Sequence, residues 1–299
     1  MTVVVTNMEQ MVADAWGLGT IKHVWRPYEY YFNEFTFGAG TPYIVESVSD
    51  LLSQNATTSD VNSGSGHGAV PGAITLSPKT IEFTIKCDAK KGMDVTQKES
   101  ALRRAFTVPP KSLSTWVGDY HSRGLFTHRA TWLRFMRPGW NDARILYARV
   151  TKFSLDSTYE GSIGLLTAKV QMVAPDPLSY GYTVHVVQIP SGENYDWTQI
   201  GDHLDGYAPR IVVHGHTVNP KFSCTRWEWF QNRTREVQYN LSSNTGLDVD
   251  FRNRIINLPG ANLLLSKDGF FSLIPGEQNI AYSGGSGTRA DYYIRDTWA

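Results

Sequence analysis

Short runs of alternating apolar and polar residues, cut apart by turn-forming residues, recur along this chain and confine it to a β-rich fold. "IEFTIKC" sets Ile81, Phe83, Ile85 and Cys87 against Glu82, Thr84 and Lys86, the period of two that a half-buried strand requires. "LLTAKVQMV" repeats it, with Leu166, Ala168, Val170 and Met172 on one side. Between them "RILYARVTKFSL" is long and rich in β-formers, but its phase slips near Thr151, which predicts a β-bulge. After Tyr180 the runs shorten to "RIVVHG", "FSCTRWEWF", "EVQYNL", "GLDVDF", "RIIN", "NLLL", "FFSLI", "NIAYSG" and "DYYIRDTW", parted by "TVNP", "LPGAN", "SKDG" and "IPGEQN". That is the pattern of an antiparallel β-sandwich. Within it Val237, Tyr239 and Leu241 share a face, as do Leu247, Val249 and Phe251, with Asp248 and Asp250 opposed.

Three stretches interrupt the strands. In "VTQKESALRRAF" Thr96 and Glu99 have the spacing of a capping box, and Leu102, Ala105 and Phe106 then fall on one face of a short helix that "TVPPK" ends. "SQNATTSDVNSGSGHGAVPGA" is longer than an ordinary connection and reads as an exposed loop near 53–75 that reaches toward a neighbour. In "APDPLSYG", Pro175 and Pro177 bar a helix and stop the strand ladder, while Asp176 suits the turn between them. A chain of 299 residues has room for about two domains. The expected division is a first domain over 1–180, a connection over 181–206 and a β-sandwich over 207–299.

Composition narrows the function. A hydrophobic content of 41 % with 9 Trp, 15 Tyr and 13 Phe belongs to packed cores rather than to a disordered chain. The first twenty residues lack a basic start and an unbroken apolar core, so neither an export signal nor a membrane anchor is expected. Cys87 and Cys224 lie far apart, which fits no disulfide framework or zinc ribbon and is compatible with synthesis in a reducing compartment. Zero formal net charge argues against a dedicated nucleic-acid binder. From Lys98 to Lys152, however, the only acids are Glu99, Asp119 and Asp142 among many cations. That segment is a solvated face, a subunit contact or a surface facing passing nucleic acid, and Arg103, Arg104, Arg123, Arg129, Arg134 and Arg137 are the candidates for a subunit contact.

Catalytic constellations are hard to find. Asp248 and Asp250 share a strand face, Asp202, His203 and Asp205 share "GDHLDG", and His214 and His216 flank a glycine, but none has a second group at a spacing that implies catalysis or metal binding. "SGSGHGAVPG" lacks the Lys-Ser/Thr and helix of a phosphate loop. No nucleophile stands in a motif. The expectation is a non-enzyme with no catalytic residue, metal or cofactor. Trp227 and Trp229 share a strand face opposite Arg226 and Glu228, which suits a core position foremost and a sugar-stacking or partner contact otherwise.

The order of the phrases carries a resemblance. "YAPRIVVHGHTVNPKF", "GLDVDFRNRIINLPGANLLL", "FFSLIPGEQNIAYSG" and "ADYYIRDTW", preceded by "MVAPDPLSYG", resemble in content and order the siphophage distal tail proteins, a minor tail or tail-component family. "YIVESVSDL" and "HGAVPGAITLSPKTIEFTIKC" match more loosely, and "VVQIPSGENYDWTQIGDHLDGY" has no counterpart. The resemblance implies a tail-tube-like β barrel or sandwich with one short helix, copies of which close a hexameric ring, and a galectin-like β-sandwich outside it. It further implies a virion protein at the distal end of the tail, made in the host cytoplasm. Its partners would be tail tube protein, tail-tip hub proteins and receptor-binding proteins or host glycans, with DNA only passing through.

Overall fold

The computed structural model describes residues 3–7, 26–33, 35–53, 55–59, 61–62, 69–70, 72, 74–90, 93–107, 132–160, 163–228, 231–252, 254–256 and 265–298. They are mostly β, in antiparallel sheets with one helix, and no sheet among them closes into a barrel. Two compact units emerge: residues 3–7 with Tyr180–Trp298, and the described residues from 26 to 179.

The unit from 26 to 179 is an open β-sandwich. Its larger sheet runs in the order Arg149–Glu160, Ile163–Ala174, Lys79–Lys90, Ile44–Ser49. The facing layer places Arg144–Tyr147, Trp132–Phe135, Glu29–Phe32 and Phe35–Gly38 side by side. Ile81, Phe83, Ile85, Ala168, Val170 and Met172 point inward from the first sheet and meet Tyr30, Phe32, Phe37, Leu133 and Phe135 from the second. Edge-to-face contacts of Phe83 with Tyr30 and Phe37 mark the centre of this core. The bulge expected near Thr151 is present: Val150 opposes Met172 and Lys152 opposes Gln171, leaving Thr151 as the extra residue.

The helix spans Met93–Phe106 and buries Leu102, Ala105 and Phe106 as the periodicity requires. It starts earlier than the capping box implied. Asp94 and Lys98 pair at 3.1 Å, and Val95 packs with Cys87 and Leu166, so the first turn forms upstream of Thr96. Glu99 consequently faces Arg103 at 2.8 Å instead of reaching back to a cap. At the other end the Asn33 side chain donates to the carbonyls of Arg104 and Ala105, satisfying acceptors that a helix terminus leaves open. The loop near 53–75 also differs from expectation. Ala56–Thr58 pairs with Ile74–Leu76 and Val61–Asn62 with Ala69–Val70, a narrow ladder built from threonines and valines dispersed among the Ser, Asn and Gly.

The second unit is a sandwich of six strands against five. One sheet is ordered Val3–Asn7, Thr183–Pro190, Arg289–Ile294, Arg210–His214, Leu247–Asp250, Ile255–Ile256, and the other Asn194–Gln199, Gly276–Ser283, Lys221–Glu228, Gln231–Tyr239, Leu265–Asp268. Phe222 of the second sheet meets Phe251 edge-on, and the Tyr292 hydroxyl of the first donates to Ala281 O at 2.9 Å across the core. Two expectations change here. Residues 181–206 are no connection, since Thr183–Pro190 and Asn194–Gln199 are full members of the two sheets. The sandwich is accordingly larger than 207–299, and Val3–Asn7, placed by the sequence in the first domain, pairs along Thr183–Val187 within it. "FFSLI" is a loop that buries Phe271 and Leu273 and touches Tyr207 through a single bridge.

The phrases at either end of this unit are structural ties. In "APDPLSYG" Asp176 Oδ1 accepts from the Leu178 N–H at 3.1 Å, the turn that the sequence implies. Arg295, buried, donates from Nη1 to Gly181 O at 2.6 Å and Tyr182 O at 2.8 Å, and Asp296 Oδ1 accepts from Ile200 N at 3.0 Å. Gly201, at φ 138°, approaches so closely that a Cβ there would lie 2.0 Å from Thr297 O.

Candidate functional site

The acids and histidines singled out by sequence are engaged in local pairs. Arg210 grips Asp248 with two hydrogen bonds, Nε to Oδ1 at 3.0 Å and Nη2 to Oδ2 at 2.7 Å. Burial works against the Arg210 charge, but this bidentate pair outweighs it and raises the pKa. Asp250 accepts from the Arg252 N–H, and Asp291 lies between His214 at 3.0 Å and Arg289 at 2.9 Å. His216 bonds Asn244 rather than joining His214, and His203 stands 4.0 Å from Asp205. Among the described residues no three His, Cys, Asp or Glu side chains gather as a metal site would need. Cys87 and Cys224 are buried thiols in no disulfide, and burial pushes the Cys87 thiol up.

The arginines named as contact candidates separate. Arg103 and Arg104 project from the helix into solvent. Arg134 is a correction: it is buried, with its guanidinium 4.6 Å from the centre of the Tyr31 ring, so it holds the small sheet together instead of facing a neighbour. Arg137 lines a groove of about 840 Å³ with Tyr28, Tyr30, Thr41, Ile44 and Val48. Tyr28 sits there at φ 63°, held by its N–H to Met136 O and its carbonyl to the Ala39 N–H. Arg123 and Arg129 lie outside the described residues, as does Trp229.

Trp227 is the second correction. Phe222 and Cys224 fix the inward phase of their strand, so Trp227 shares the outer face with Ser223 and Thr225 and is 65 % exposed. Arg226, on the inward side, donates to Ser272 O at the sandwich rim. The core reading fails because the charged residue, not the indole, follows the core parity. Around Trp227 the outer face holds polar groups that the sequence reading passed over. Asp196, Asn279, Thr225 and Thr234 stand opposite one another across four strands, and their alternation in "NYDWTQ" and "GEQNIAYS" was the available signal.

A second polar face belongs to the other unit. The outward side of its larger sheet interleaves Lys86, Lys152 and Lys169 with Glu46, Glu82 and Asp156, among threonines and serines. Lys86 pairs with Glu46 and Gln171 donates to Glu82 at 2.9 Å. The flanking strands Ile44–Ser49 and Arg149–Glu160 each have one edge without a partner strand among the described residues.

Comparison with solved structures gives the match that decides the architecture. The crystal structure of the SPP1 Dit (gp 19.1) protein, described as a paradigm of the hub adsorption apparatus in phages infecting Gram-positive bacteria, superposes with a TM-score of 0.56 at 12 % identity, covering 89 % of this chain and 98 % of that one. The fold is that of SPP1 Dit. A chain of the phage P2 baseplate aligns over 90 % of this chain at 8 % identity, with a TM-score of 0.41 that carries no weight. No protein-family model and no curated protein matches the sequence. At 12 % identity the Dit likeness is one of fold, and almost the whole of the Dit chain is represented, so both units described above have their counterparts in it. Residues 181–206 supply a strand to each of the two sheets of the second unit.

Proposed function

We propose that this chain is a non-enzymatic structural protein of a long-tailed phage virion, a distal tail adaptor that joins the tail tube to the tail-tip hub and its host-binding apparatus. The observation that carries this is the fold shared with SPP1 Dit along both chains. Copies assemble head to tail into a hexameric ring, with the galectin-like sandwich of Tyr180–Trp298 outward and a channel for DNA exit at the centre. Heterologous contacts that close by rotation need two different complementary surfaces on one chain. Ile44–Ser49 and Arg149–Glu160, the open edges of one sheet, supply such a pair. The mixed-sign polar face between them suits a channel wall, because a surface that neither collects phosphates nor repels them lets DNA slide.

Full-length protein, alone and co-expressed with its tail tube protein, is to be sized by light scattering and imaged by negative stain. Rings with a central hole are expected. A monomer under both conditions overturns the reading.

A further inference from the structure

We propose that the turn at residues 203–206 of one copy seats Leu204 in the groove beside Ile44 of a second copy, with Asp205 set on Arg137. This goes beyond the adaptor reading, which gives the contacts between copies to the open edges of one sheet. It also draws on residues 186–207, the stretch without a counterpart in the sequence resemblance.

The knob is exposed and held. Gly206 N–H donates to His203 O at 3.0 Å and Gly206 takes φ 72°, which closes a β-turn whose two central residues are Leu204 and Asp205. The Asp202 and His203 N–H groups both donate to Thr297 O, the Ile200 N–H donates to Asp296, and Tyr207 exchanges two backbone hydrogen bonds with Leu273. These ties on both sides of the turn fix its tip. Leu204 is 83 % exposed, and Ile200 is exposed as well. The Asp205 carboxylate is almost wholly in solvent, 4.0 Å from His203 and so beyond hydrogen-bond reach. A lone surface leucine is ordinary, but a tethered turn that carries leucine where polar turn-formers are usual, next to an uncovered carboxylate, offers a binding tip.

The groove supplies the complement. Tyr28, Ile44 and Val48 give it an apolar surface, and Tyr28 and Ile44 are exposed. Glu46, the acid that lines it, is paired with Lys86. Among the described residues no carboxylate pairs with Arg137, and its Nε is buried without a hydrogen-bond partner. A guanidinium beside an apolar wall is matched by a carboxylate next to an aliphatic side chain, and the turn holds those two groups at adjacent positions. A polyanion would answer Arg137 and leave the apolar wall wet. A second copy answers both, and the charge that each surface lacks is the one that the other carries. Because knob and groove are different surfaces, the contact is heterologous and runs head to tail. Strand addition along the neighbouring edge of Ile44–Ser49 uses backbone groups, which the knob leaves alone.

The experiment mixes full-length Leu204→Cys protein with full-length Ile44→Cys protein and adds a short bis-maleimide, the native Cys87 and Cys224 being buried. A cross-linked heterodimer is expected, and with one new thiol per chain it forms only between copies. By light scattering, Leu204→Ser and Asp205→Lys should each weaken self-association about tenfold, with melting temperatures near wild type because both side chains are exposed. Arg137→Glu should weaken it likewise, and Arg137→Glu combined with Asp205→Lys in one chain should recover most of the loss, which a folding defect does not do. Rings that form equally well with Leu204→Ser and give no heterodimer overturn the proposal and leave the adaptor reading standing. Head-to-tail oligomers that cross-link but never close support the proposal and count against the ring. A protein that is monomeric throughout overturns both. If Leu204→Ser weakens only the capture of tail tube protein, the knob serves that partner and the proposal falls.

Discussion

Arg295 secures the C-terminal sandwich by filling two buried carbonyls, Gly181 O and Tyr182 O, with one guanidinium nitrogen. Arg295→Ala removes this charged donor from both carbonyls and leaves a void, which costs about 3 kcal/mol by the usual scale for buried, charge-assisted hydrogen bonds. Urea unfolding should show it as a lower midpoint with an unchanged slope. Glu236 gives a pH signature. Its partial burial raises the pKa, but hydrogen bonds from Lys221 and Lys267 outweigh that and hold the carboxyl below the ordinary value of 4.5. A depressed folded pKa stabilises above the unfolded value and ceases to do so as pH falls through the folded one. The difference in melting temperature between wild type and Glu236→Gln should therefore shrink as the buffer is taken from about pH 6 to about pH 3. Equal differences at both ends would show that the two lysines contribute nothing to Glu236 ionisation.

Among the elements, the long strand Arg149–Glu160 gives the sharpest test of how the fold is encoded. Thr151 is the residue that its partner strand does not match, so removing it leaves Val150 and Phe153 facing inward in a regular ladder. Deleting Ser154 instead turns Leu155 and everything beyond it to the wrong face. The Thr151 deletion should fold with a near-native melting temperature, and the Ser154 deletion should be insoluble or lose most of its cooperativity. Facing of this kind was legible wherever a run of alternation was long: Ile81 to Cys87, Leu166 to Met172 and Leu247 to Phe251 all bury the side read from sequence. It was not legible where alternation was short or shared. "CTRWEWF" offers two aromatic and two charged residues on opposite faces, and only the upstream Phe222 and Cys224 decide which side is inward. The helix start was obscured because burial of Val95 outweighs the Thr96 cap. The polar row beside Trp227 was invisible as a motif, since Asp196, Thr225 and Asn279 are far apart in sequence and meet only through strand register.

For the molecule as a whole, the pairing of Val3–Asn7 with Thr183–Val187 means that the two units are not consecutive in the chain. The unit described between 26 and 179 is set between the first and the remaining strands of the sandwich. Residues 181–299 expressed alone should then present an unpaired edge along Thr183–Pro190, with exposed backbone groups that invite association. Size-exclusion chromatography should show that fragment as aggregates or a broad distribution, and addition of residues 1–9 through a flexible linker should return a single monomeric peak. A sharp monomer peak from the bare fragment would mean that the first strand is dispensable.

That same pairing has a consequence in time. At translation speeds of about 5–20 residues per second, on the order of ten seconds pass between synthesis of Val3–Asn7 and emergence of the strand it joins. The first strand made is among the last to be covered. A truncated or stalled copy therefore lacks a finished sandwich edge, and the chain's own topology withholds a complete sandwich from any copy that the ribosome has not carried past its middle.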